Sequence, residues 1–133
     1  MSLTTGKHSR RVFTKKSDAV HTLHNLVVKT GTDADHIAIC GKADRPLGIC
    51  ADAPDAVEYP ATVEQFSGPD TVLGVAAAAV AVGDELYTAA NGKVANAATS
   101  STGATYKVGR ALTAAAADEE VEIEGCYPVS VTL

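Results

Sequence analysis

The chain is 133 residues long and carries a net charge of −5, with 46% apolar residues, a size that suits one domain with one modest core. Ala supplies 24 of the apolar residues, Trp is absent and Phe occurs only twice, so little area is available for burial at about 25 cal/mol per Å². A large self-sufficient core is excluded, and the composition points to a folded chain that draws part of its stability from a partner or from its own copies.

Charge is segregated along the chain. Residues 1–16 hold Lys7, Arg10, Arg11, Lys15 and Lys16 with no acid, an arm of +5 on a remainder of −10. Such an arm reads as an electrostatic tether or as a self-complementary contact on an acidic body. We expect residues 1–24 to be a basic, partly flexible arm and residues 25–133 to form one β-rich domain. No apolar leader follows the basic residues, so no secretion signal is expected. The longest apolar run, Val75 to Val82, is far below the ~20 residues of a membrane span. Three cysteines, Cys40, Cys50 and Cys126, make no C-x-x-C and read as thiols of a reducing compartment. The expected site of synthesis is a cytoplasm.

Apolar positions 20, 23 and 27 would suit a helix capped by Ser17, whereas Leu26-Val27-Val28-Lys29-Thr30 favours a strand from about Asn25. The turn cluster Gly31-Thr32-Asp33-Ala34-Asp35 leads to a short strand, His36 to Cys40. An aliphatic-Gly pair then occurs three times, as Leu47-Gly48, Leu73-Gly74 and Val108-Gly109. Gly74 overlays Gly109 without a gap, bringing Ala76 onto Ala111, Asp84 onto Glu119, Leu86 onto Val121 and Thr88 onto Ile123. The first copy is shorter and runs through Cys50 and Asp52 into Val57-Glu58-Tyr59.

The clearest hairpin spans Gly83 to Asn96. Leu86, Thr88 and Ala90 alternate with Glu85, Tyr87 and Ala89, and Asn91-Gly92 is the pair that a two-residue type I′ turn requires. Val75–Val82 has no amphipathic stripe and is not expected to be helical. Val121-Glu122-Ile123-Glu124 and Val129 to Leu133 read as the closing strands. The fold class is therefore all-β, a small barrel or sandwich of short hairpins with an extended basic N-terminal arm. Gly48, Gly74, Asn91, Gly92 and Gly109 are its expected structural turn positions.

With Arg45-Pro46-Leu47-Gly48-Ile49, the stretch Gly83 to Val94 and the stretch Val108 to Ala114 running to Ile123 in hand, the chain resembles the phage capsid cement, or head decoration, proteins. The likeness covers roughly residues 36–127. It implies a β-rich homotrimer on the outside of an assembled head, bridging neighbouring copies of the major capsid protein. No catalytic motif, cofactor or small-molecule substrate comes with it. The residues expected to touch the capsid are Lys7, Arg10, Arg11, Lys15 and Lys16, with Phe13 as an apolar anchor.

Other chemistry is weaker. His21, His24, His36 and Cys40 suggest a metal, but His36 and Cys40 would stand some 13 Å apart along a strand. No nucleophile turn, G-x-G-x-x-G or P-loop is present. Lys93 has the placement of a carrier-domain lysine without its usual neighbours and reads as a turn lysine facing water. Arg10-Arg11 and Lys15-Lys16 could contact nucleic acid, yet the −10 body would repel phosphate. The rival readings are a tail or fibre-base component and a small-ligand or metal-binding β-module.

Overall fold

In a computed structural model, residues 12–67, 70–100 and 102–133 are described, and they form two β-layers. The first is a closed five-stranded barrel of β1 (Val12–Ser17), β2 (Leu26–Thr30), β3 (His36–Ile39), β4 (Gly48–Cys50) and β5 (Pro60–Glu64), in the order β1-β3-β2-β4-β5. The second is a five-stranded sheet of β6 (Val72–Val75), β7 (Glu85–Thr88), β8 (Val94–Ala95), β9 (Ala104–Ala111) and β10 (Glu120–Thr132), ordered β6-β10-β9-β7-β8. One helical turn, α1 (Ala97–Ser100), follows β8. The all-β barrel expected from the sequence is present, joined to a second sheet.

Alternation along each strand decides where the cores lie. Ile37, Ala61, Val63, Val28 and Cys50 fill the barrel, with Phe13 and Leu47 packed against them. Val27 and Ile49, the neighbours of Val28 and Cys50, point the other way and join Phe66, Leu86, Val94, Val108, Val121 and Ile123 in a core between barrel and sheet. β2 and β4 are thus buried on both faces, which explains the unbroken apolar runs Leu26-Val27-Val28 and Gly48-Ile49-Cys50.

The repeat is realised as two interlocked β-loop-β units, β6–β7 and β9–β10. Val80 and Ala115 donate to each other's carbonyl at 2.9 and 3.2 Å. Gly83 donates to Ala111 and Asp118 to Ala76, at 2.8 and 2.7 Å, while Ala76 donates to Glu119 and Ala111 to Asp84, at 2.9 and 2.8 Å. Even the loop carboxylates match: Asp84 accepts from the Ala81 amide and Glu119 from the Ala116 amide. Exchanging the two units leaves this bonding unchanged. The first aliphatic-Gly segment is not a third copy, because β4 belongs to the barrel and the strand expected at Val57 begins only at Pro60.

Gly48, Gly74 and Gly109 lie inside strands and not at turns. A Cβ at Gly48 would sit 2.4 Å from the Glu64 carbonyl oxygen, and one at Gly109 would sit 2.3 Å from that of Glu124. Gly109 stands where the β7–β9 and β9–β10 registers both shift, so a backbone passes close on its open face. Asn91 and Gly92 do form the turn, with φ of 61° and 73°, but Ala89 donates to the Lys93 carbonyl, leaving Ala90 as a third loop residue. The tip docks on the barrel through the Gly92 amide and the Cys40 carbonyl, 2.8 Å apart.

Residues 18–25 form a connection and not a helix, and β2 begins at Leu26. The two closing strands are one, β10, irregular between Gly125 and Val129. Barrel and sheet are also fastened by Arg45, whose guanidinium lies 5.9 and 5.6 Å from the Tyr106 and Tyr127 rings and donates to the Tyr127 hydroxyl at 3.0 Å. Gly109→Ala should destabilise the protein by about 1–3 kcal/mol through this backbone clash, read as a lower urea midpoint.

Candidate capsid-contact surface

Lys7, Arg10 and Arg11 lie outside the described residues. The described part of the expected arm is a barrel strand: β1 pairs antiparallel with β5 from Val12↔Glu64 to Lys16↔Pro60, and parallel with β3 at Lys16↔His36 and Ser17↔Ile37. Phe13 does not project as an anchor. It leans on the barrel core, because odd positions of β1 face inward. Lys15 shares that side, with Nζ 5.6 Å from the Phe13 ring centroid and bonded to the Ala34 carbonyl. Lys16 faces outward and is exposed. An open groove of about 400 Å³ lies beside this strand, lined by Phe13, Thr14, Lys15, Thr30, Ala34 and Leu47.

Elsewhere the basic side chains are engaged. Lys29 meets Asp44 at 2.9 Å, Lys93 meets Asp118 at 2.5 Å, Arg110 meets Glu124 at 2.7 Å, and Lys107 meets Glu85. Lys42 donates to the Thr102 carbonyl and Arg45 rests on its tyrosines. Lys93 is therefore ion-paired and does not simply face water. With acids in excess across the body, positive charge beyond these pairs is concentrated toward the N-terminus.

Sequence reasoning missed an apolar patch at one end of the barrel. Val20 and Leu23 in the β1–β2 connection, and Val57 and Tyr59 in the β4–β5 loop, are all exposed. The two segments are tied together, His21 donating to the Pro54 carbonyl, Glu58 to that of Ser17, and Ser17 to that of Tyr59. The signal lay in the helix-like spacing at 20 and 23, which marks exposed positions here and not a buried stripe.

Burial pushes the Cys40 thiol up to about 12 and the Cys50 thiol to about 11, so both behave as small apolar groups. Asp18, His36 and Glu58 place ligand-type atoms within 4.8 Å of one another. Both ring nitrogens of His36 already face carboxylates, however, Nδ1 at 2.6 Å from Asp33 and Nε2 at 2.5 Å from Glu58.

The sequence profile described as phage cement protein matches residues 13–125. The chain belongs to that family. Comparison with curated proteins gives no match. Among solved structures, the N base of the head fiber protein gp8.5 of bacteriophage phi29 is similar, with a TM-score of 0.65 and 19% identity over 87% of this chain and 93% of that one. At that identity the likeness is one of fold. This cement-family chain is thus a phage structural protein whose β-architecture recurs in a head-fibre base.

His21 is buried, its Nδ1 lacks a partner, and burial depresses its pKa below 6.5. The unfolded chain therefore binds a proton that the folded one refuses, and stability contributed above pH 6.5 is lost as pH falls toward the depressed value. Urea denaturation between pH 6.5 and 5 should show that decline in the wild type, and His21→Asn should flatten it.

Proposed function

We propose that this protein is a non-enzymatic decoration protein that binds the outer surface of an assembled phage head as an oligomer, a homotrimer, and stabilises it by bridging major capsid subunits. The observation that carries the reading is charge segregation: the body's cations are committed to internal partners, while Lys7, Arg10, Arg11 and Lys16 remain as a basic segment at one end. Lys15 adds its charge beside them, and Phe13 seats the strand that carries them. Single exposed ion pairs contribute only about 0.2–1 kcal/mol, so attachment depends on many being made at once. On a repeating lattice, linked contacts raise apparent affinity by about 10²–10⁴.

The exposed Val20, Leu23, Val57 and Tyr59 supply apolar area for a neighbour, either a further copy or the shell. A chain with this alanine-heavy interior gains from such burial. It would be made in the host cytoplasm and would work on the capsid exterior. A second reading, the base of a head fibre, is favoured by the similarity to the phi29 fibre base. The two differ in whether copies cover the whole lattice or occupy isolated positions, which cryo-electron microscopy of particles distinguishes.

Removing residues 1–16 would delete most of β1 and open the barrel, so the informative truncation removes residues 1–11 alone. Co-sedimentation with empty heads should fall at least about tenfold for that truncation and for Lys16→Glu combined with Arg10→Glu and Arg11→Glu, with the oligomer intact by light scattering. Binding by the wild type should weaken as salt rises from 50 to 500 mM, roughly as the Debye length shrinks. Unchanged, salt-independent sedimentation of the truncated protein would remove the arm from the account.

A further inference from the structure

The barrel end that bears Val57 and Tyr59 carries one imidazole set between two carboxylates. His36 opens β3 in the seam where β1 and β3 close the barrel, opposite Lys16. Its Nδ1 lies 2.6 Å from Asp33 Oδ1 in the β2–β3 turn, and its Nε2 lies 2.5 Å from Glu58 Oε2 in the β4–β5 loop. A neutral imidazole carries one N–H and can donate to one of them only, so the other carboxylate would face a lone pair. With both carboxylates ionised, the two contacts together require the imidazolium.

The surrounding charges favour that state. Asp18, at the end of β1, brings a third carboxylate within 4.8 Å of the His36–Glu58 contact. Opposing it, Lys16 acts on Asp33, and Lys15 has committed Nζ to the Ala34 carbonyl. The side chain of His36 is only 14% exposed, while those of its partners Asp33 and Glu58 are open to water.

What His36 holds is a strained residue. Glu58 has φ of 71°, a left-handed conformation that costs a non-glycine residue free energy unless its surroundings fix it. Its neighbours Val57 and Tyr59 are 56% and 52% exposed. The Glu58 amide donates to the Ser17 carbonyl at 2.7 Å, and Ser17 donates to the Tyr59 carbonyl at 2.9 Å. The same short stretch therefore presents the apolar tip and fastens the end of β1.

We propose that His36 is a proton-operated latch: protonated, it fixes Glu58, seals the β1–β3 seam and presents Val57 and Tyr59 in one arrangement. Deprotonated, it releases Glu58 and loosens both the seam and the tip. The device acts inside one protomer and stands whether or not the capsid reading holds. Asp33 first, and Glu58 after it, raise the His36 pKa above 6.5, so its contribution is complete below that pH and is lost as pH rises through the raised folded value.

Hydrogen exchange by NMR on the full chain from pH 6.5 to 9, above the depressed His21 pKa, tests this. After division by the intrinsic rates, protection at the Lys16, Ser17, Asp18 and Glu58 amides should fall roughly tenfold, with no matching fall in β6, β9 and the first half of β10. The His36 ring should titrate above 6.5. His36→Gln should show low seam protection at every pH, and Glu58→Gln should lower the His36 titration point. Seam protection independent of pH, an equal fall in both sheets, or a His36 titration at or below 6.5 would overturn the latch. If His36→Gln does not fold, the wild-type profile and Glu58→Gln decide.

Discussion

The shared wall of β2 and β4 is the constraint on which the rest of this fold depends. With so few large apolar residues, the chain cannot fill two separate interiors, and it solves this by giving alternate residues of the same strands to each. Val28 and Cys50 close the barrel while Val27 and Ile49 found the second core. Only a strand buried on both faces can do that, so no polar residue is admitted from Leu26 to Val28 or from Gly48 to Cys50. Gly48 lets the wall approach β5 to a distance that a methyl group would prevent.

The surface follows the opposite economy. Each body cation is tied to a carboxylate, a carbonyl or an aromatic ring, which leaves acid in excess over most of the molecule. A basic leader on such a body is attracted to acidic surfaces, those of other copies of the same chain included.

Much of the second sheet was legible in the sequence because its information is local. Asn91-Gly92 marks its turn, and the gapless overlay of Gly74 on Gly109 marks a unit used twice. The barrel was less legible. β1 reads as an arm because Lys15 and Lys16 mask its alternation, and its pairing with β5 joins residues nearly fifty positions apart, which no short window contains. Phe13 looked free for the same reason. Gly48 and Gly74 read as turns because a glycine required by a passing backbone leaves the same mark as one required by a bend. The His36 cluster was invisible, since Asp33, Glu58 and Asp18 come from three connections that only the closed barrel brings together.

The reciprocal clasp between the loops of the two repeat units has a mechanical meaning. Because the backbone bonds that link the two loops come in matched pairs, a pull that separates the units strains both members of each pair together. Such parity of strength resists stepwise unzipping, so the sheet would yield as a whole.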